Sequence, residues 1–494
     1  MDKYRNNDKI TEIKCLHRYC QSVKLYRKSF VRKYGVIMKK KIDLLNGPIA
    51  GTLAKLAFPI MGTSFIQMGY NLVDMIWIGR LGSGAVAAVG AAGMFMWLAN
   101  GVTTIPRIGG QVTVGHKLGA GDKEAAAEYA RGALRMGAFL GILYGIVSLL
   151  LNNQLIAFFQ LNSPKVIWDA RMYLMITCGL VVFSFLDQVL GGILAAMGNT
   201  ITTFRVTTIG LFINLILDPV LIFGVGPIPR LEVAGAAMAT VLAQVIVFVL
   251  YLRAVWNEPV IFANLHLFVK TRKEYVREMV KIGFPPAIQD SLFSTISMVI
   301  ARLIAGWGDA AVAVQKVGSQ IESISWMMAG GFSTAVNAFI AQNYGAGKGE
   351  RIRKGYRTAV VIMAVWGAFT SFLLLVFPEF FFRIFITEEE VIPMGVDYLR
   401  IIGISEIFMC LEGAATGAFQ GMGKTVPPSV TGIVFNTLRI PTAMLLSATA
   451  LELNGVWWAL SLSCVLKGTV LPVWFALVFR KFYKNYKEMK GRSV

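Results

Sequence analysis

Twelve apolar runs, each long enough to cross a bilayer, most constrain what this chain can fold into. They lie at about 54–78, 86–114, 130–152, 171–197, 203–225, 233–256, 281–305, 311–342, 358–382, 394–421, 427–449 and 454–480, with short polar stretches between them. A hydrocarbon core about 30 Å thick takes roughly 20 apolar residues at about 1.5 Å each. Strands of a membrane barrel would alternate in polarity over about ten residues, which these runs do not. The expected fold is therefore an all-α polytopic membrane protein with about twelve transmembrane helices and no substantial soluble domain.

A net charge of +20 could point to nucleic acid, so its distribution decides. With the N-terminus placed inside, the tails and even-numbered loops hold 36 of the 48 Lys and Arg, and the opposite side holds 6. The positive-inside rule then puts both termini in the cytoplasm, and the basicity reads as topology rather than nucleic-acid binding. Residues 1–37 have no apolar run and read neither as a cleavable signal nor as a span. Met38, followed by three lysines, is read as the native start, or else 1–37 is a disordered tail. The five cysteines form no disulfide framework; Cys178, Cys410 and Cys464 read as small hydrophobes. Cys15, His17 and Cys20 match no zinc spacing. His17, His116 and His266 all fall on the cytoplasmic side, which leaves no histidine relay inside the membrane.

The chain is an internal repeat. A shift of 226 lays Phe284-Pro285 on Phe58-Pro59, Gly308 on Gly82, and Gly345-Ala346-Gly347 on Gly119-Ala120-Gly121. The shift drifts to 225 at Met197-Gly198 (Met422-Gly423), to 222 at Asn214 and Pro219 (Asn436, Pro441), and to 220 at Gly235 (Gly455). Gly, Pro and Asn aligning together is not what repeated apolar residues give by chance. The expected organisation is a basic tail at 1–46, a six-helix lobe at 47–257, a cytoplasmic linker at 258–280, a second lobe at 281–483 and a basic tail at 484–494. Six spans per repeat is even, so both lobes enter from one side and are related by a pseudo-two-fold along the membrane normal. Two such lobes flanking a central path suit alternating access.

Charges inside a span are costly and are functional candidates by default. Asp74 falls late in the first run, and Asn214 and Asp218, four apart on one helical face, fall in the fifth beside Pro219. They are read as a proton or Na⁺ site. Asp74 and Asp218 map to Ile300 and Ile440, so ion binding is expected in the first lobe alone. Gln67, Met68, Tyr70, Asp187, Gln188, Glu322 and Glu412 are weaker candidates for a substrate cavity, with Glu406 near them and Arg107 and Arg439 as partners that could neutralise acids instead. Gly421-Met-Gly423-Lys424-Thr425 looks like the end of a P-loop, but position 418 is alanine and no strand precedes it. No catalytic motif is present, and no enzyme or cofactor is expected.

Leu-Val-Asp74 with Gly79-Arg-Leu-Gly82, the Leu-Gly-Ala-Gly-Asp122 loop, the Met-Gly198-Asn-Thr turn and Asn214…Asp218-Pro219 together resemble the multidrug and toxic compound extrusion (MATE) family over about residues 46–482, closest to its DinF-like bacterial branch. The resemblance implies a V-shaped pair of six-helix bundles in the bacterial inner membrane. It implies export of cationic or amphipathic compounds against H⁺ or Na⁺, with Asp74, Asn214, Asp218 and Thr240 as the coupling site and a monomer as the working unit. The alternative is a flippase for a lipid-linked sugar or another amphipathic lipid.

Overall fold

The computed structural model describes residues 42–159, 161, 163–227, 229–255, 271–386 and 388–491. The readings made for Met38, Cys15, His17, Cys20, His266 and the 258–270 part of the linker lie outside the described residues.

The first half runs α1 (Ile49–Gly79), α2 (Ser83–Gly119), α3 (Lys123–Leu150), α4 (Asn152–Ala157), α5 (Pro164–Gly179), α6 (Val182–Ala196), α7 (Thr200–Phe223) and α8 (Glu232–Val255). The second runs α9 (Lys273–Ala305), α10 (Asp309–Gly345), α11 (Gly349–Val376), α12 (Pro378–Arg383), α13 (Ile392–Gly421), α14 (Val426–Ser447) and α15 (Glu452–Gly491). Among the described residues eleven helices are long and apolar enough to cross a membrane, and α5 with α6, bent by 44°, makes a twelfth span. The chain is an all-helical, multi-pass membrane protein.

The repeat seen in the sequence is a repeat of structure. The ends of α2, α3 and α4 map onto those of α10, α11 and α12 at the single shift of 226. The turns match as well. Gly82 and Gly308 have φ of 110° and 99°, Gly121 and Gly347 80° and 64°, Gly198 and Gly423 77° and 72°. These left-handed turns need glycine at each place in both halves. Glu232 and Glu452, without that freedom, share φ of 51° and 46° one residue into α8 and α15.

Three boundaries differ from the expectation. α9 starts at Lys273, inside the stretch expected as linker, because Tyr275 stacks on Tyr129 at 4.2 Å and the Tyr129 hydroxyl donates to Glu278. α15 continues to Gly491, past the expected tail start, with Phe479 in the second-half core and Phe482 and Tyr483 packed against it. The fourth span is broken at Leu180–Val181, whereas its counterpart α13 is continuous. α3 packs closely against the break, its Gly137, Gly141 and Gly145 making a stripe of small residues. A Cβ on Gly145 would sit 2.7 Å from the Gly179 carbonyl oxygen. The 226-residue counterpart of Gly145 is Ser371, which has a side chain where the first half has none.

The two halves interlock through their first helices. Leu53, Leu56 and Ala57 at the start of α1 belong to a core otherwise built from α10, α11, α13 and α15, while Ile78 at its far end belongs to a first-half core. α9 does the reverse: Met279 sits in a first-half core and Ile296, Ile300 and Ile304 in a second-half one. Each helix carries a proline near the crossing, Pro59 and Pro285.

At the end of the molecule that carries the basic loops the halves are shut together. α2 and α10 are each 37 residues, about 55 Å. Their last turns therefore reach beyond the hydrocarbon, and there they meet. A Cβ on Gly115 would touch that of its counterpart Ala341 at 2.8 Å, so the pseudo-two-fold passes between them. Gly119 lies against the backbone of Gln342, and Gly345 against that of His116. The hydrogen bonds repeat the symmetry. His116 Nε2 contacts the Gly421 carbonyl at 2.8 Å, and Gln342 Nε2 donates to the Ala196 carbonyl at 2.6 Å. Residues 42–47, all but the last expected to be part of the tail, strap the same face. The Ile42 amide donates to Gly198 at 3.3 Å; Asn343 and Arg351 donate to the Leu44 carbonyl, and Lys348 to that of Leu45, all at 3.0–3.1 Å.

Toward the other face, exposed polar side chains stand in the middle of apolar helices: Gln67 to Asn71 on α1, Asn100 on α2, and Asp290, Ser294, Thr295 and Ser297 on α9. Polar side chains at that depth need water. The halves therefore splay into a wet cleft on the side opposite the basic loops.

Candidate functional site

Asp218 sits about four-fifths of the way along α7, and Asn214 one turn before it; both are buried, at 0% and 3% exposure. Asn214 Nδ2 donates to Asp218 Oδ1 at 2.8 Å, and Asp218 Oδ2 is buried with no hydrogen-bond partner. α7 runs through Pro219 without breaking, and the proline leaves the carbonyl one turn earlier without its backbone donor.

Asp74, at the end of α1, comes within electrostatic reach of Asp218, and its Oδ1 is likewise buried and unpartnered. Tyr70, one turn before Asp74, reaches both acids and hydrogen-bonds Thr240 of α8, whose own hydroxyl donates to the Ala236 carbonyl at 3.1 Å. Tyr173 of α5 closes the group, facing both aspartates. The four residues singled out for coupling, Asp74, Asn214, Asp218 and Thr240, are thus gathered from α1, α7 and α8 into one place. Tyr70 joins them there rather than the cleft wall. Tyr173 was not foreseen, since an aromatic in an apolar run carries no signal beyond packing.

Among the described residues no Lys or Arg contributes to the field at either aspartate. Two buried carboxyls with free oxygens and no fixed cation must each be met by a proton or a small mobile cation, because an isolated buried charge is too costly to leave alone.

The weaker candidates are distributed differently. Gln67 Nε2 donates to Asn71 at 3.1 Å, and Met68 receives the Ser323 hydroxyl at 3.8 Å. Met68 also lines a small apolar cavity between α1 and α10, with Ser64, Phe65, Ile324, Met327 and Met328. Gln188 donates to Asn100 at 2.9 Å across the cleft wall. Asp187 does not extend the Asp74–Asp218 group; it faces Tyr251 on the far side of the lobe.

In the second half Glu412 is ion-paired to Lys467 at 3.1 Å, with both side chains largely buried. Glu322 accepts from the Tyr398 hydroxyl at 3.5 Å, and Arg439 lies near it. Arg439 itself donates to Ser463 at 2.9 Å and to Cys464 Sγ at 3.3 Å, so that cysteine has a polar role. Glu412 and Glu322 in the second half thus lie among fixed cations, whereas Glu406, buried at 1% exposure, has an unpartnered Oε2 and, among the described residues, only Glu322 as a charged neighbour.

Asp290 was missed in the sequence. It accepts from the Thr104 hydroxyl at 3.0 Å, and Arg107, which donates to Thr104 at 3.3 Å, lies beside it. A carboxylate five residues past Pro285 in an apolar run carried the same signal as Asp74.

Comparison with known proteins agrees with this architecture. A relative described as "Probable multidrug resistance protein NorM" from Thermotoga maritima is 28% identical over 431 residues, 86% of this chain and 91% of its own. A second, described as "FAD transporter" from Shewanella oneidensis, is 26% identical over 369 residues, 74% of this chain and 80% of its own. The fold is similar to a crystal structure of MATE in complex with MaL6, with a TM-score of 0.84 at 21% identity over 90% of this chain and all of that one. The MatE family model matches twice, over residues 59–220 and 285–445, the two matches opening at the paired prolines Pro59 and Pro285. With nearly two-thirds of its length under that doubled match, the chain belongs to the MatE family, a family of transporters and not of enzymes.

Proposed function

We propose that the protein is a secondary active exporter of cationic and amphipathic small molecules, driven by inward H⁺ or Na⁺. In this reading it works as a monomer in a bacterial plasma membrane, with both termini cytoplasmic and no cofactor beyond the coupling ion. The observation that carries the reading is the Asp74–Asp218 pair, each with one buried oxygen that has no hydrogen-bond partner and, among the described residues, neither with a fixed counter-ion. The relatives described as multidrug resistance and export proteins support the substrate class. The basic loops mark the cytoplasmic face by the positive-inside rule, so the cleft opens outward.

α1 links ion to cargo. It carries Asp74 near its outer end, meets α10 of the other half in an apolar contact through Phe65 and Met68, and begins inside the second-half core. Loading the acids changes the packing of α1 against α7 and α8, and with it the affinity of the cleft for cargo. Coupling is then a difference in affinity between two states.

Ethidium transport in proteoliposomes, under an imposed pH gradient and separately under an imposed Na⁺ gradient, tests this. One gradient should drive ethidium, and Asp218→Asn should abolish the effect with protein abundance retained. Unchanged transport in that variant would refute the assignment. FAD, the named cargo of one relative, belongs in the assay as a competitor.

A further inference from the structure

Asp187 is a carboxylate the coupling site leaves unused. It lies on α6, its Oδ1 is buried without a hydrogen-bond partner, and among the described residues no basic side chain pairs with it. A Cβ on Gly191, one turn on and on the same face, would sit 3.6 Å from both the Tyr251 hydroxyl and the Thr203 methyl. The Thr207 and Tyr251 hydroxyls are 3.4 Å apart. The other ionisable groups facing α6 are engaged elsewhere. Arg107 of α2 touches Gly192 with its stem but turns its guanidinium to Thr104. Tyr144 of α3, beside Phe185, donates to the Phe95 carbonyl at 2.6 Å.

These groups are joined to the Asp74–Asp218 site by a seam between α7 and α8. On α7, Thr203, Thr207, Gly210, Asn214 and Asp218 follow at spacings of four, three, four and four, one face of a helix. On antiparallel α8, Thr240, Gln244, Val247 and Tyr251 do the same, and Gln244 Oε1 is buried without a partner. The seam is polar at both ends and shut in the middle, where Val247 packs onto Gly210.

The second half holds the control experiment within the same chain. α6 and α13 end in register at Ala196 and Gly421, the carbonyls taken by the paired residues Gln342 and His116. Nine residues back along each helix stand Asp187 and Glu412. Glu232 and Glu452 fix the register of α8 against α15, and fifteen residues on stand Val247 and Lys467. In the second half the acid and the lysine at these places form the buried ion pair at 3.1 Å. In the first half the acid is kept and the lysine is replaced by valine. A fixed ammonium there satisfies Glu412; Asp187 has none and must take a mobile cation.

We propose that Asp187 is an inner proton station of the first lobe, loaded from Asp218 along the α7–α8 seam when Val247 lifts from Gly210. The step is a transfer of one proton from the Asp218 carboxyl to the Asp187 carboxylate, with nothing oxidised or reduced. It rests on the reading of Asp74 and Asp218 as the site where the coupling ion is a proton.

The test uses the full chain in proteoliposomes, with infrared difference spectra between low and high pH beside ethidium transport. Among the protonated-carboxyl components, one is expected to be lost in Asp218→Asn and a different one in Asp187→Asn. Val247→Lys should also remove the Asp187 component, by installing the second half's fixed cation, and slow transport about tenfold or more; Val247→Met, of similar length to lysine without its charge, should retain the Asp187 component. A spectrum and a transport rate unchanged in Asp187→Asn would overturn the proposal, as would transport unaffected by Val247→Lys. Wild-type transport indifferent to a pH gradient would instead sink the proton-coupled reading, while an Asp187 component that still titrates would keep the inner station.

Discussion

Asn214 and Asn436 occupy matched places in the two halves, both buried at 3% exposure, yet only one has an acid to serve. Asn214 donates to Asp218, while the position matched to Asp218 in the second half is Ile440. Removing a donor from a buried acceptor costs about 1–3 kcal/mol. Asn214→Ala should therefore slow ethidium transport about tenfold, since about 1.4 kcal/mol is a factor of ten. Asn436→Ala should leave it within about twofold. Equal losses from the two substitutions would mean that both asparagines serve the scaffold and that Asp218 does not depend on its partner. The acids and their asparagine are legible in sequence because charge in an apolar run stands out against its background. Tyr173 is not, because only the bent approach of α5 to the aspartates gives its hydroxyl a purpose. Glu412 reads as a cavity candidate until Lys467, 55 residues away in sequence, is seen to pair with it.

Helix caps and turns follow from residues two or three apart, yet the apolar runs understate the helices: α3, α9 and α11 begin seven to nine residues before the runs at 130, 281 and 358, and α15 continues eleven residues past 480. Asp122 caps α3 by accepting from the Ala125 amide at 3.0 Å, and Asn199 caps α7 through Thr202 at 3.3 Å. The break of the fourth span was not readable, because the contact that flanks it is made by another helix. α3 presents no side chain at Gly145, and the Gly179 carbonyl occupies the space. Gly145→Leu should force these backbones apart at a cost of about 1–3 kcal/mol. A drop of a few degrees in the thermal midpoint of the purified protein would register it. Ser371→Gly, at the matched place on α11, creates no clash and should hardly move that midpoint. A Gly145→Leu protein as stable as wild type would show that the broken span does not depend on this contact.

The interlocked first helices mean that neither half can rock as a sealed body: α1 and α9 must slide or bend as the cleft changes. The face that carries the basic loops is held by contacts with nearly exact internal symmetry. These are Gly115 on Ala341, His116 to the Gly421 carbonyl and Gln342 to the Ala196 carbonyl, with the 42–47 strap across them. Cargo entering from that side must break all of them, whereas cargo leaving through the cleft breaks none. Cysteines placed at Gly115 and Ala341, in a background lacking the native cysteines, sit on the pseudo-two-fold with their Cβ atoms about 1 Å closer than a disulfide prefers, a gap the helices can relax. Oxidation should then hold the face shut and cut ethidium transport about tenfold or more, with reduction restoring it. Cargo could still reach the outer cleft, so ethidium binding from that side should survive the cross-link while transport does not. Full transport with the bridge quantitatively formed would mean that ions and cargo cross without this face ever opening, and alternating access between two rocking lobes would have to be abandoned for this chain.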